Sequence, residues 1–468
     1  MIRLLPLMAV AWLLIAGGLA RADDPRPPNV VLMLIDDLGW RDLSCYGSTF
    51  YETPHIDRLA REGMRFTNAY ASCPVCSPTR AALLTGKCPE RLHFTGHITS
   101  IRRHRHPKDS RIIPPDDLMY LPHEEVTIAE SLRPAGFVSA SIGKWHVGHV
   151  GYWPTDQGFN LNVAGSTDGS PPGYFFPYTK PERKWNASIP TLHGGEPGEY
   201  LTDRLTDEAI RFIEAHRDRP FFVYLPHFAV HTPIEAPAEL VPKYEKKMHT
   251  DQSQINPTYA AMIESVDRNV DRVLRTLDRL DLAADTLVIF TSDNGGASRV
   301  TRNAPLRAGK GHLYEGGIRV PMIVRFPGKI AAGTTCDTPV ISHDFEPTIR
   351  EFVGRKETSR TPRDGVSLAG VLTGRGEPQR EALYWYYPHY PPQGARPGAA
   401  MRSGAFKLIE HYDPPAVELY NLQEDIGERK DLAKSMPERV ERMRRSLRDH
   451  LTAVGTILHT PNDRTGRP

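Results

Sequence analysis

Four runs of strongly apolar, often β-branched residues punctuate the chain, and each stops at polar or charged groups. Val30-Val31-Leu32-Met33-Leu34-Ile35 runs straight into Asp36-Asp37. Leu287-Val288-Ile289-Phe290 leads to Asp293-Asn294-Gly295-Gly296. Phe221-Phe222-Val223-Tyr224-Leu225 precedes His227 and His231, and Val138-Ser139-Ala140-Ser141-Ile142 precedes Gly143-Lys144-Trp145-His146. Near-continuous apolar runs of this length predict strands of a parallel sheet buried on both faces. In such α/β sheets ligands bind beyond the carboxyl ends of the strands, so the four endings point at one shared site.

The groups at those endings divide by chemistry. Asp36, Asp37, Asp293 and Asn294 offer only oxygen, which suits a hard divalent cation, Ca²⁺ before Mg²⁺, better than zinc. Arg80, Lys144, His146, His231 and Lys310 are cationic or imidazole groups. Cations gathered around a metal imply an anionic substrate with several oxygens. A lone Asp-Asp after a strand also serves as a helix cap, and a lone lysine is ordinarily a surface charge.

The segment Cys76-Ser77-Pro78-Thr79-Arg80-Ala81-Ala82-Leu83-Leu84-Thr85-Gly86 decides between these readings. It has the pattern C-x-P-x-R followed by a short apolar run and T-G. With the other segments in the same order, the chain resembles the formylglycine-dependent (type I) sulfatases of the alkaline phosphatase-like superfamily, from about Pro28 to about Asp431. Thr79 stands where serine is common.

The resemblance implies a large mixed, mostly parallel sheet flanked by helices. It implies one Ca²⁺ held by Asp36, Asp37, Asp293 and Asn294, with Cys76, oxidised to formylglycine by a maturation enzyme, completing the metal site. Arg80 would steady the aldehyde hydrate, Lys144, His146 and Lys310 would grip the sulfate, and His231 would serve the leaving oxygen. A geminal diol suits this reaction. One hydroxyl attacks sulfur, and loss of the second hydroxyl's proton then re-forms the carbonyl and expels sulfate. A plain Ser or Cys lacks that exit.

The N-terminus reads as a secretory signal peptide over residues 1–22, with basic Arg3, an apolar stretch from Leu4 to Leu19 and Ala20-Arg21-Ala22 as the cleavage site. The expected protein is exported: periplasmic or secreted, or in a lysosomal-type compartment of a eukaryote. No membrane span is expected in the mature chain. The 58 Lys and Arg residues nearly balance 56 Asp and Glu. Cleavage after Ala22 would remove Arg3 and Arg21, so nucleic acid is a poor partner. The basic run Arg102-Arg103-His104-Arg105-His106 reads as a solvated loop or a substrate-contacting edge. The cysteines are Cys45, Cys73, Cys76, Cys88 and Cys336. An exported compartment permits disulfides, but pairing cannot be deduced. Cys73 and Cys76 have C-x-x-C spacing, yet Pro78-Thr79-Arg80 favours the sulfatase motif over a redox one.

The organisation expected is a catalytic domain over residues 23–375, a small α+β subdomain over 376–455 and a loose tail over 456–468. Short strands at Ala382–Tyr386, Ala405–Ile409 and Val417–Tyr420 and a polar helix from Pro437 to Leu451 suggest an antiparallel sheet with one packing helix. The aromatic stretch Trp385-Tyr386-Tyr387-Pro388-His389-Tyr390-Pro391 suits either sugar recognition or a packed sheet edge. His389 is the candidate for a sugar contact, and the resemblance extends to sulfatases acting on galactose-type sugars sulfated at O4. The substrate expected is therefore a sulfated glycan. Arylsulfatase, phosphonate or phosphate ester hydrolase and an inactive sulfoglycan-binding homologue are the alternatives.

Overall fold

The computed structural model describes residues 26–98, 106–183, 186–355 and 362–463. The signal-peptide segment and most of the basic run at 102–106 lie outside them. An eight-stranded sheet forms the centre, in the spatial order Thr334–Cys336, Met64–Phe66, Met322–Arg325, Thr286–Ser292, Asn29–Ile35, Phe221–Pro226, Val138–Ile142 and Leu161–Val163. The four apolar runs read from the sequence are its four adjacent inner strands, all parallel. Met322–Arg325 runs antiparallel to both of its neighbours, so the sheet is mixed.

The continuous apolar pattern has a direct physical consequence in the strand Asn29–Ile35. Side chains alternate across a strand. Val31, Met33 and Ile35 therefore enter one core with the helices Leu201–Ala215 and Pro257–Arg279, while Val30, Leu32 and Leu34 enter a second core with the helices Cys76–Thr85 and Phe345–Phe352. Both faces are dry, so the run Val30–Ile35 is apolar throughout, and polar side chains stand only at its ends, at Asn29 and Asp36.

The C-terminal part is a four-stranded antiparallel meander, Leu383–Tyr387, Gly398–Ser403, Phe406–Tyr412 and Pro415–Asn421, with the helix Pro437–Ala453 on one face. The strand Gly398–Ser403 (GAAMRS) had no β-branched signal to reveal it. On the opposite face Leu383, Trp385 and Tyr387 pack against Tyr70, Cys73, Val75 and Ile318, so this sheet buttresses the segment leading into Cys76. The chain end is not wholly loose: Thr460–Pro461 pair with Ile112–Ile113, and Asn462 Nδ2 donates to the Ser110 carbonyl at 2.8 Å. Two polar groups and a ladder suffice to pin a short segment that its Pro- and Asn-rich sequence left unspecified. Among the described residues, no helix is long and apolar enough to cross a membrane.

Candidate active site

Asp36 and Asp37 leave the first strand together, and Asp37 adopts a left-handed backbone (φ 63°). Non-glycine residues rarely hold that conformation. Here it is held by Asp37 N donating to Asp293 Oδ1 at 3.2 Å, across from the end of the neighbouring strand. Asn294 Nδ2 donates to Asp37 Oδ1 at 2.8 Å. The four oxygen-bearing side chains singled out in the sequence are thus brought together, all buried.

Arg80 closes this cluster from below. It lies one turn into the helix Cys76–Thr85 and is fully buried. Its Nε donates to Asp293 Oδ2 at 2.9 Å, Nη2 is ion-paired with the same oxygen at 2.7 Å, and Nη1 donates to the Lys144 carbonyl at 2.8 Å. Lys144 Nζ is 2.7 Å from Asp36 Oδ2, and Lys310 Nζ is 2.6 Å from Asp37 Oδ1. Gly143 makes the Lys144 position possible. Its φ is +126°, and a Cβ there would lie 2.0 Å from the Pro226 carbonyl oxygen that Lys144 N bonds at 2.7 Å.

Cys76 is the first residue of its helix, where the free backbone N–H groups and the helix dipole favour negative charge. The hydroxyl of Thr79 is bonded to both N and O of Cys73 at 3.1 and 3.0 Å, which secures the turn before Cys76 and accounts for a hydroxyl residue at this place. His146 Nδ1 lies 3.4 Å from Cys76 Sγ, and its Nε2 is 2.9 Å from the Ile98 carbonyl. A carbonyl only accepts, so Nε2 carries the proton and the Nδ1 lone pair faces Cys76. Burial, then Lys144, holds the His146 imidazole well below its ordinary pKa, which keeps it neutral and able to accept a proton. His231 Nε2 stands 3.7 Å from Asp37 Oδ2; burial and then Lys310 lower its pKa to about 3.

The carboxylates are not equivalent. Burial opposes ionisation of Asp37, but Lys310 and then His231 outweigh it and hold the group well below the usual range. Arg80 does the same for Asp293. At Asp36 burial wins: Lys144 pulls downward without cancelling it, and Asp293 and Asp37 add to the rise. The cluster is therefore short of positive charge at Asp36. Asp36 Oδ1 and Asn294 Oδ1 are also buried with no hydrogen-bond donor. Orphaned buried oxygens are costly, and two of them beside further carboxylate oxygens match the needs of a hard divalent cation.

A cavity of about 320 Å³ opens above Cys76. Cys76, His146, His231 and Lys310 line its floor, and Thr167, Asp168, Ser170, Asn186 and Gln393 supply polar walls. Two expectations are corrected here. Lys144 does not line the cavity; it is fully buried beneath it, bound to Asp36. His389 is 2% exposed, with Nε2 at 2.8 Å from Thr95 Oγ1 and 3.0 Å from Asp117 Oδ2, so it joins two segments of the interior and offers no sugar contact. The aromatic stretch is a packed sheet edge: Trp385 Nε1 donates to the Ala71 carbonyl at 2.8 Å, and Tyr386 and Tyr387 are buried. The chain reaches the cavity just beyond it, at Pro392 and Gln393. Asp168, Asn186 and Gln393 carried no sequence signal, because they sit on loops without periodicity or motif. None of the five cysteines is paired in a disulfide.

The Sulfatase family model matches residues 28–354, and the model for the C-terminal part of N-sulphoglucosamine sulphohydrolase matches residues 308–456. The chain belongs to the sulfatase family. A sulfatase from Formosa agariphila is 34% identical to this sulfatase over 491 residues, covering 91% of this chain and 88% of its own. N-acetylgalactosamine-6-sulfatase from Canis lupus familiaris is 33% identical, covering 81% of this chain and 73% of its own. The crystal structure of Ps i-CgsB superposes with a TM-score of 0.76 at 28% identity, over 91% of this chain and 93% of that one. The fold is accordingly alkaline phosphatase-like, and the enzyme is a sulfuric ester hydrolase.

Proposed function

We propose that this sulfatase releases sulfate from a sulfated galactose-type sugar, with Cys76 matured to formylglycine and one Ca²⁺ held by Asp36, Asp37, Asp293 and Asn294. The observation that carries the reading is the cavity itself: a floor of cationic Lys310 and the neutral imidazoles of His146 and His231 around Cys76, under polar walls that include Thr167, Ser170, Asn186 and Gln393. Such a floor fits a sulfate ester, and such walls fit hydroxyl groups. Among the described residues the lining holds one carboxylate, Asp168, where glycoside hydrolysis ordinarily uses two. Relatives named N-acetylgalactosamine-6-sulfatase, and the solved complex of Ps i-CgsB with k-i-k-neocarrahexaose, support a sulfated glycan. The O4 ester suggested by the sequence and the O6 ester in the relatives' name are the two positions proposed.

When bound, the cation and the aldehyde hydrate supply a nucleophile and neutralise charge on the sulfate oxygens. The chain's own residues do the rest. His146 Nδ1 takes a proton from the group at position 76. Lys310, held by Asp37 at the cavity floor, faces the anion's oxygens. His231 is neutral in the free enzyme; an arriving sulfate ester brings negative charge that favours its imidazolium, which then protonates the leaving oxygen. Arg80 keeps Asp293 and the start of the nucleophile helix in fixed relation.

Asn186 is the wall residue with the clearest open valence. Its Nδ2 donates to Ser170 Oγ at 3.0 Å, while its Oδ1 is buried without a donor. Its backbone is left-handed (φ 55°), so Asn186→Gly removes the amide without backbone strain. The test measures kcat/KM of Asn186→Gly and Gln393→Ala on O4-, O6- and O2-sulfated galactose and N-acetylgalactosamine and on a small aryl sulfate. Loss of one neutral hydrogen bond predicts a drop of about two- to tenfold on the sugar, with the aryl substrate unchanged. Equal losses on both would make the walls structural. Release from O2 esters or aryl sulfates alone would reject the substrate.

A further inference from the structure

A second set of ligand-type side chains lies behind the nucleophile helix, away from the cavity over Cys76. Cys88 and Glu90 follow the helix Cys76–Thr85 and are 2% and 1% exposed. His450 reaches them from the C-terminal helix Pro437–Ala453, and its Nε2 is 2.9 Å from Glu90 Oε1. One ligand atom from each of Cys88, Glu90 and His450 lies within 4.8 Å of the others. They share a cavity of about 220 Å³ with His343 and Asp364.

We propose that Cys88, Glu90 and His450 bind a zinc ion that ties the C-terminal helix to the loop behind the nucleophile helix. The ligand chemistry is the first argument. A thiol, an imidazole and a carboxylate together select zinc, in contrast to the oxygen-only set at Asp36. The second is an independent one: Glu90 Oε2 is buried and has no hydrogen-bond donor. Neighbouring cations do not supply it. Arg91 is bound to Asp364 at 2.7–3.0 Å, and Arg380 to Asp344 at 2.6 and 2.7 Å. The third is orientation. Tyr384 stacks on the His450 ring with centroids 4.0 Å apart and planes 6° apart, which fixes Nε2 towards Glu90.

The electrostatics agree in sign. Burial, then Glu90 and Asp364, pushes the Cys88 thiol well up, so it is protonated when no cation is present. The same carboxylate field favours a cation, whose arrival displaces the thiol proton. Three protein ligands would leave one coordination position for water. The site's role is to hold the C-terminal helix against the catalytic domain.

The full chain carrying Cys76→Ala, so that no thiol at position 76 contributes, is stripped with chelator, loaded with Zn²⁺ or Co²⁺ and desalted. Zinc is then counted by mass spectrometry of the metal, and the Co²⁺ form is scanned for a thiolate-to-metal charge-transfer band. The expected result is one zinc per chain and a clear sulfur band. Affinity falls more than about 100-fold, beyond the effect of losing an outer partner, when Cys88→Ser, Glu90→Gln or His450→Ala is added. His450 is the most exposed of the three, and circular dichroism of His450→Ala verifies that it folds; zinc should raise the melting temperature of the parent and not of this variant. Zinc that washes out of the parent, zinc retained equally by the variants, or a cobalt spectrum without the sulfur band overturns the proposal. In an otherwise native background Cys88→Ser keeps aryl sulfatase activity, since Cys88 lies outside the site around Cys76.

Discussion

Lys407 offers the sharpest test of how the two parts of the molecule are joined. It is fully buried on the meander strand Phe406–Tyr412, and its Nζ lies 2.8 Å from both Glu315 Oε1 and Glu428 Oε1. Glu315 opens the short helical turn that follows the Lys310 loop and is also bound by Arg319 Nε at 2.7 Å and Tyr70 OH at 2.8 Å. Glu428 Oε2 accepts from Glu315 N at 2.7 Å. Lys407→Met keeps the apolar stem and removes the charge, leaving Glu428 with one neutral donor. Removing one partner of a buried ion pair costs about 3–5 kcal/mol, because the remaining charge is left desolvated.

Protonation limits that cost. Burial already raises Glu428 to about 7, against the pull of Lys407 and with Glu315 adding to the rise. Without the lysine it would rise further, so below neutrality the variant escapes the penalty by taking up a proton. At one pKa unit per 1.36 kcal/mol, the cost should be about 1 kcal/mol smaller at pH 6 than at pH 8. Urea unfolding at both pH values reads this directly. Adding Glu428→Gln to Lys407→Met removes the stranded charge and should recover about 1–2 kcal/mol at pH 8. A Lys407→Met cost below about 1 kcal/mol at both pH values, or a double variant no more stable than the single, would refute the reasoning.

Cys76→Ser and Cys76→Ala should fold normally and lose sulfate release by more than about a thousandfold, as removal of a nucleophile does; multiple turnovers by the purified serine variant would sink the formylglycine reading. Removing Ca²⁺ with a chelator should abolish turnover and lower the melting temperature, and Ca²⁺ should restore both; one bound calcium by metal analysis supports the four-oxygen set, whereas two zinc ions there would reject it. Glu315 tests the acid limb of stability. Burial is outweighed by Lys407 and then Arg319, which hold its carboxyl at about 2 against an ordinary 4.5. A depressed folded-state pKa contributes stability that is present above the unfolded value and lost as the pH falls. Wild type should therefore lose stability from pH 4.5 downward through about 2, and Glu315→Gln, though weaker at neutral pH, should lose less across that window; identical slopes would count against the assignment.

Residues whose role follows from their neighbours in the chain were legible without a structure. A strand dry on both faces must be apolar until it leaves the sheet, so Val30–Ile35 marks itself and hands its ending to Asp36 and Asp37. The pattern around Cys76 is local too, because one helix start presents both Cys76 and Arg80. Burial is not local. Lys144 and His389 are ordinary polar residues in sequence, and only packing shows that one lies under the cavity against Asp36 and the other bridges Thr95 and Asp117. The walls at Asp168, Asn186 and Gln393 come from loops whose course depends on what they cover. The Glu315–Lys407–Glu428 network and the Cys88–Glu90–His450 set join residues that only the docking of the meander and its helix brings together. A buried charge or an open ligand valence is defined by partners from elsewhere in the chain, and folding alone decides who those partners are.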